Sequence, residues 1–143
     1  MNRGDKYLAS ARNEMVKKNA DFSKAFQLLE KSASFQNPEA IYAIGTWYLF
    51  GRYVKKSYVQ AVKYLKKAAL LNFREAFYDL AVCYELGEGV KKNEKKAFEY
   101  YLKAALMGNK TAIHEVGRCY YYGIGIEKNR AISKIWIKQS ETD

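Results

Sequence analysis

The sequence predicts an all-α fold, a right-handed α-solenoid of about four stacked helical hairpins. First, the chain aligns with itself without gaps at a period of 36 residues, so that segments starting at Ala40, Ala76 and Ala112 repeat one pattern. Second, each segment contains two stretches in which apolar residues recur at helical spacing, joined by a glycine-containing loop. Because a single helical pair cannot bury its apolar stripe alone, successive pairs are expected to stack.

The period divides the chain into four units, which we expect to form one domain over residues 1–143. Residues 1–39 are predicted to be a degenerate N-terminal cap unit, in which only a second helix is clearly indicated, by the register of Ala25 with Ala61 and Ala97. Residues 40–75 and 76–111 are complete repeats. Residues 112–143 are a truncated C-terminal repeat.

The first helix of each repeat is predicted from apolar residues four positions apart, as in Ala40, Ile44 and Tyr48. Asn37 is expected as its N-cap, because the asparagine side chain accepts a hydrogen bond from the helix start, and Pro38 as its first helical residue. Three tyrosines one period apart are predicted to lie in the core: Tyr48, Tyr84 and Tyr120.

The loop between the two helices of a repeat recurs as "FGRYVKK", "LGEGVKK" and "YGIGIEK". A Gly-x-Gly followed by lysines, as at Gly87 and Gly89, could bind phosphate, because amides without side chains form an anion-binding nest. A loop that is copied with its whole unit is more typical of a structural turn, in which glycine ends the helix in a left-handed conformation. We therefore predict left-handed caps at three positions: Gly51, Gly87 and Gly123.

The spacing Ala-x3-Ile-Gly-x2-Tyr-x2-Gly from Ala40 to Gly51, followed by Ala-x2-Tyr-x3-Ala-Ala from Ala61 to Ala69, resembles the Sel1-like repeat, a relative of the tetratricopeptide repeat. The resemblance extends over residues 40–140. Two positions depart from the family pattern, each where a glycine is expected: Tyr53 and Ala81. The resemblance implies a scaffold or adaptor that binds other proteins, and it implies neither an enzyme nor a cofactor.

Catalysis and metal binding find little support among the reactive residues. The single histidine, His114, has no nearby nucleophile motif, and Cys83 and Cys119 lie one period apart instead of at the Cys-x-x-Cys spacing of many metal sites. Equivalent positions in neighbouring repeats are roughly 8–10 Å apart, whereas a disulfide needs Cα atoms within about 7 Å. We therefore expect two reduced thiols, no metal, no cofactor and no enzymatic activity.

The sequence also gives an expectation about the cellular location of the protein. No apolar run of the signal-peptide kind lies near Met1, and no stretch of the sequence approaches the roughly 18 apolar residues of a membrane span. We therefore expect a cytoplasmic protein without a membrane span.

A partner-binding surface is predicted on the first helices, which line the concave side of related solenoids. The stripe that the core does not use is unusually aromatic, and exposed aromatic patches usually mark interfaces. It predicts a groove for an extended or helical partner segment, although packing between neighbouring first helices would give the same pattern. The predicted groove residues are Tyr42, Thr46, Leu49, Tyr78, Val82, Glu85, His114, Arg118 and Tyr121.

The net charge of +10 permits three interpretations. The lysines form a solvated face, dock an acidic protein partner, or contact nucleic acid or an anionic membrane. The excess is uneven, because residues 40–75 carry seven Lys/Arg against one acid, whereas residues 76–111 carry six against five. This unevenness is not typical of a continuous track for a polyanion. The lysines concerned are Lys55, Lys56, Lys63, Lys66, Lys67, Lys91 and Lys92.

Overall fold

The computed structural model describes residues 2–142, and within them it contains eight α-helices and no strand. Seven of the helices have 13 residues and the last has 11. Their bounds are α1 Arg3–Met15, α2 Phe22–Ser34, α3 Pro38–Phe50, α4 Tyr58–Leu70, α5 Arg74–Leu86, α6 Glu94–Leu106, α7 Lys110–Tyr122 and α8 Arg130–Ser140.

The helices form two compact units, which divide between Phe73 and Arg74. The first unit contains the hairpins α1–α2 and α3–α4, and α2 packs against α3. The second unit contains the hairpins α5–α6 and α7–α8, and α6 packs against α7. The expectation of a single domain over residues 1–143 stays a prediction.

The helix ends follow the predicted chemistry. Asn37 caps α3 by accepting a hydrogen bond from the Ala40 N–H, with Pro38 at the first helical position, and Asn109 caps α7 in the same way. The predicted left-handed caps are confirmed, with φ values of +66°, +72° and +74° at the three glycines that end α3, α5 and α7. The recurring loop is therefore the turn within each of these hairpins.

The first hairpin is more regular than the sequence indicated, because residues 3–15 form a complete helix α1. The helical stripe of α1 includes the acidic residue Glu14, which is buried at 5% exposure. Its carboxylate pairs with Lys17 at 3.3 Å and with Lys24 of α2 at 3.5 Å. These ion pairs compensate the desolvation of the charge, so a stripe that lacks an apolar residue at this position still packs on α2.

The core of the first unit is built from the facing sides of α1 to α4, with Leu29, Ile44 and Leu65 almost completely buried. Trp47 occupies the position that Cys83 and Cys119 occupy in the later repeats, and it packs on Phe26 with a ring centroid distance of 5.5 Å. This supports a packing role for the position, which alternates between a large ring and a small thiol.

The core of the second unit buries Leu80, Tyr84, Tyr101 and Val116. Of the three tyrosines predicted to lie in the core, only Tyr84 is buried. Tyr48 and Tyr120 are half-buried, so the prediction of full burial is wrong for these two residues. The ring of Tyr48 stacks on Tyr64 at 5.8 Å, and Tyr84 stacks on the equivalent Tyr100 at 5.6 Å. These ring pairs join the two helices of a hairpin, and Tyr48, Tyr64 and Tyr100 are half-buried.

Candidate protein-interaction surface

Six of the predicted groove residues lie on α5 and α7 of the second unit. Their spacing of three or four residues places them on one stripe of each helix. We define the α5/α7 surface by these residues: Tyr78, Val82, Glu85, His114, Arg118 and Tyr121. The first three and Arg118 are half-buried, whereas His114 and Tyr121 are exposed.

An ion network joins the two helices across this surface. Arg118 on α7 donates from Nη2 to Oε1 of Glu85 on α5 at 2.6 Å and from Nε to Oε2 of Glu115 at 2.8 Å. The hydroxyl of Tyr101 donates to the same Oε1 of Glu85 at 2.8 Å. Glu85 and Arg118 were both predicted as groove residues that contact a partner, and the structure shows that each is already engaged by the other.

The network shifts the pKa values of its members. Burial alone would raise the pKa of Glu85, but the hydrogen bonds from Arg118 and Tyr101 outweigh burial and hold this pKa below its ordinary value. The hydrogen bond to Glu85 raises the pKa of Arg118, against the opposing effect of burial. Burial, together with the hydrogen bond to Glu85, raises the pKa of Tyr101. The pKa shifts of Glu85 and Arg118 therefore favour the charged form of both groups at neutral pH.

The aromatic residues of the surface differ in how freely they can contact a partner. The ring of Tyr78 packs edge-to-face on the buried Tyr101 at 5.8 Å, and burial, with the nearby Glu115 carboxylate, raises its pKa. Tyr121 is 39% exposed and contacts the ring of Tyr122 at 4.8 Å. Part of the predicted stripe is thus used in packing within the unit, and the accessible part lies toward the C-terminal end of α7.

A depression of about 290 Å³ lies at this accessible part. Three predicted residues line it, His114, Arg118 and Tyr121, together with Tyr122 of α7 and Ile137 of α8. The guanidinium of Arg118 is held by the two carboxylates and keeps further N–H donors, and the two tyrosine rings supply apolar faces. Such a combination suits an apolar or aromatic anchor residue with a neighbouring hydrogen-bond acceptor.

Sequence reasoning missed three residues that shape this surface. Tyr101 and Ile137 belong to the second helices of their hairpins, α6 and α8, whereas the groove was predicted on the first helices alone. Glu115 lies three residues before Arg118, a spacing that favours a pair on one helix face and could have identified it.

The remaining three predicted residues lie on α3 of the first unit, which is described on its own. The Tyr42 ring packs on Phe73 at 4.9 Å, and the Thr46 hydroxyl donates to the backbone carbonyl of Ala43 at 2.7 Å. Leu49 is half-buried. All three residues are half-buried and keep some accessible surface. The hydroxyl hydrogen of Thr46 is already used in a hydrogen bond within its own helix.

The predicted basic residues are all exposed. Three lie on α4, two in the loop before α4 and two in the loop before α6. The ammonium of Lys56 lies over the Tyr58 ring at 4.8 Å and that of Lys67 over the Tyr64 ring at 5.4 Å, which are cation–π contacts. The full set is Lys55, Lys56, Lys63, Lys66, Lys67, Lys91 and Lys92.

The prediction that the two cysteines are unlinked is confirmed, since Cys83 and Cys119 are free and buried. Burial raises the pKa of the Cys83 thiol to about 11 and that of Cys119 to about 12. Over residues 2–142 there is no group of three or more His, Cys, Asp or Glu side chains arranged to hold a metal ion. None of the helices in that range is long and apolar enough to cross a membrane.

The repeated hairpins and their partly accessible aromatic stripe define a tandem helical-repeat protein. The chain belongs to the Sel1 repeat family, whose model matches residues 7–34, 38–73, 75–109 and 111–140. The family fold commonly mediates protein–protein interaction, and Sel1 repeat proteins are generally non-catalytic scaffolds. The N-terminal unit, expected to be degenerate, thus also matches the repeat over most of its length.

Solved structures with the same fold cover nearly all of the chain. One is a protective antigen present in uropathogenic Escherichia coli strains that displays an SLR fold, with TM-score 0.93 and 25% identity over 96% of this chain. Another is a Sel1 repeat protein from Oxalobacter formigenes, with TM-score 0.89 and 27% identity over 98% of this chain. The chain spans 30% and 41% of the lengths of these two proteins.

A third structure is cysteine rich protein B of Helicobacter pylori, with TM-score 0.66 and 28% identity over 76% of this chain and 87% of that protein. No curated protein sequence matches the chain significantly. The fold class predicted from the sequence, an all-α solenoid of helical hairpins, is confirmed by the eight helices of the described residues and by these structures.

Proposed function

We propose that this chain is a non-catalytic protein–protein interaction module that binds a segment of a partner protein on the α5/α7 surface. The observation that carries the proposal is the depression of about 290 Å³ that His114, Arg118 and Tyr121 line together. Tyrosine is favourable in such a place, because it offers a large apolar ring and a polar tip and loses little conformational entropy when it is fixed.

The ion network supports the proposal by keeping the surface rigid before the partner arrives. Arg118 is held by Glu85 and Glu115, so its side chain does not need to be ordered on binding. A surface that is already ordered avoids part of the entropy cost of association. The partner is therefore bound mainly by contacts with the rings, whereas the charged groups restrict which polar atoms can lie beside them.

The exposed lysines support an acidic character for the partner. Lys63, Lys66 and Lys67 follow one another along α4 with no acidic residue in that helix. A positive surface of this kind attracts acidic segments and accelerates their association. The comparisons give no support to nucleic-acid binding. The free thiols are consistent with a cytoplasmic location, which stays a prediction.

The test is capture of partners from a nuclease-treated lysate of the source organism, followed by affinity measurement with the captured protein. Tyr121→Ala should weaken binding by about 1–3 kcal/mol, the usual cost of truncating an aromatic anchor. The melting temperature should change little, because Tyr121 is 39% exposed. Tyr78→Ala is less suitable, because the Tyr78 ring also packs on Tyr101.

The matched control is Leu106→Ala, which truncates a large apolar side chain that is 73% exposed and lies outside the α5/α7 surface. This variant should bind the partner as the natural chain does. Equal binding by the Tyr121→Ala and natural proteins, with both folded, would show that the partner docks elsewhere.

A further inference from the structure

The hairpin α7–α8 carries a second concave region, which lies on α8. We define the terminal groove as the region of about 550 Å³ beside α8 that is lined by Tyr121, Arg130, Lys134, Ile137, Lys138 and Glu141. Tyr121 and Ile137 supply its apolar part, and the three basic residues lie four apart on α8. Tyr121 also belongs to the α5/α7 surface, and Ile137 also lines the depression at that surface.

The equivalent face of the preceding hairpin binds a helix. One period earlier, Glu85 takes the place of Tyr121 and accepts a hydrogen bond from Arg118 of α7. Phe98, which is equivalent to Lys134, packs edge-to-face on Tyr120 of α7 at 5.4 Å. This face of a hairpin is therefore shaped to receive a helix that lies across it, and in the second unit α7 fills this role for α5–α6.

The chemistry of the terminal groove differs from that internal face at three positions. Arg130, Lys134 and Lys138 stand where the internal face has Glu94, Phe98 and Leu102. Phe98 is buried, whereas the three basic residues are exposed. Two of them, Lys134 and Lys138, form no ion pair within residues 2–142. The groove thus combines a helix-receiving shape with a basic stripe.

The basic stripe does not stabilise α8 itself. Arg130 is the first helical residue, where a positive charge opposes the helix dipole, and like charges four residues apart repel. Arg130 partly compensates by lying over the Tyr121 ring at 4.3 Å. An arrangement that weakens its own helix becomes favourable when a negatively charged group binds to it.

We propose that the terminal groove binds an acidic amphipathic α-helix of a partner protein. The apolar face of that helix covers Tyr121 and Ile137, and its carboxylates pair with Arg130, Lys134 and Lys138. A second copy of this chain is a poorer occupant, because each copy carries a net charge of +10 and the copies repel one another. The inference goes beyond the proposed function, since it adds a second docking site and states the chemistry of its occupant.

The test uses a designed helical peptide of about 16 residues as the probe, with leucine and alanine on one face and glutamate on both flanks. Fluorescence anisotropy measures its affinity for the natural chain and for the Lys134→Glu/Lys138→Glu variant. The variant should bind at least tenfold more weakly, and a peptide with lysine in place of glutamate should bind the variant better than the natural chain. Lys134→Gln/Lys138→Gln provides an intermediate case if the reversed charges impair folding.

Two controls separate groove binding from general attraction to a basic protein. Lys55→Glu/Lys63→Glu makes the same charge change in the first unit and should leave the affinity for the peptide within about twofold. A peptide of the same composition in scrambled order, without an apolar face, should bind at least tenfold more weakly. The proposal would be overturned if both double variants lost the same amount of affinity for the peptide. It would also be overturned if the scrambled peptide bound the natural chain as tightly as the amphipathic peptide does.

Two further results bear on the occupant. Sedimentation of the chain alone should show a monomer. A dimer that the Lys134→Glu/Lys138→Glu change abolishes would mean that a second copy of the chain occupies the groove. His114→Ala should leave affinity for the acidic peptide unchanged, because His114 does not line the terminal groove. If peptide binding fails while His114→Ala, at a residue that lines the depression and not the terminal groove, weakens capture of a native partner, the terminal-groove proposal is wrong and the proposed function stands.

Discussion

The loop before α8 gives a prediction that distinguishes two costs of replacing glycine. Gly123 and Gly125 lie two residues apart with nearly equal φ values, +74° and +69°. A Cβ atom on Gly123 would meet Lys128 Cβ at an ordinary 3.4 Å. A Cβ atom on Gly125 would overlap the backbone carbonyl oxygen of Glu94 in α6 and lie 2.6 Å from its carbonyl carbon.

The magnitudes follow from these contacts. A left-handed conformation costs a residue with a side chain about 1–2 kcal/mol, so Gly123→Ala should lower the free energy of unfolding by about that amount. Gly125→Ala carries the same cost, and overpacking against rigid backbone adds about 1–3 kcal/mol. We therefore expect a total of about 2–5 kcal/mol for Gly125→Ala.

Urea unfolding of the natural chain and the two variants, with linear extrapolation, measures the difference. Gly125→Ala should be the less stable variant by at least about 1 kcal/mol. Equal stabilities would refute the reasoning, because they would mean that the loop does not pack on α6 as the structure shows.

Three other predictions concern the second unit. Cys83 and Cys119 should react with a thiol reagent at pH 8 far more slowly in the native chain than in urea, because both are buried and burial raises their pKa values to about 11 and 12; prompt native reaction would contradict this. Arg118→Met should lower the free energy of unfolding by about 1–3 kcal/mol at pH 7, since it removes charged hydrogen bonds. The folded-state pKa of Glu85 is lowered, so its contribution to stability is present above the ordinary pKa near 4.5 and is lost as the pH falls through the folded-state pKa. Urea unfolding should therefore show that acidification lowers the free energy of unfolding more in the natural chain than in Arg118→Met. Gly87→Val should cost about 1–2 kcal/mol or more in thermal unfolding, whereas alanine at the exposed lysines of the same loop should change little.

Features that depend on local chemistry were predictable from the sequence. The helix caps at Asn37 and Asn109 and the left-handed glycines follow from side-chain and backbone preferences that operate within a few residues. The period of 36 residues extended these predictions to each later repeat. The hairpins could therefore be predicted without knowledge of the tertiary contacts.

Features that depend on the choice between distant partners were not predictable. Arg118 could have faced a bound segment, but it pairs with Glu85, 33 residues earlier, and a helical pattern does not reveal which charged groups meet across two helices. Helix α1 was missed because Glu14 interrupts its apolar stripe. The buried carboxylate pairs with Lys17 and with Lys24 of α2, and the pattern of α1 alone does not reveal the second of these partners. Tyr53 adopts a φ of +62° where later repeats have glycine, and its ring packs on Phe26 at 5.6 Å.

The most direct test of the interaction surface is site-specific photocrosslinking in cells of the source organism. A photoreactive phenylalanine analogue is placed at His114, whose side chain is 55% exposed beside the depression, and separately at Leu106, which is 73% exposed outside it. We predict one defined protein crosslinked from position 114 and not from position 106, with the product lost when Tyr121 is also replaced by alanine. Crosslinking of the same protein with equal efficiency from both positions, or from position 106 alone, would contradict a binding site on the α5/α7 surface.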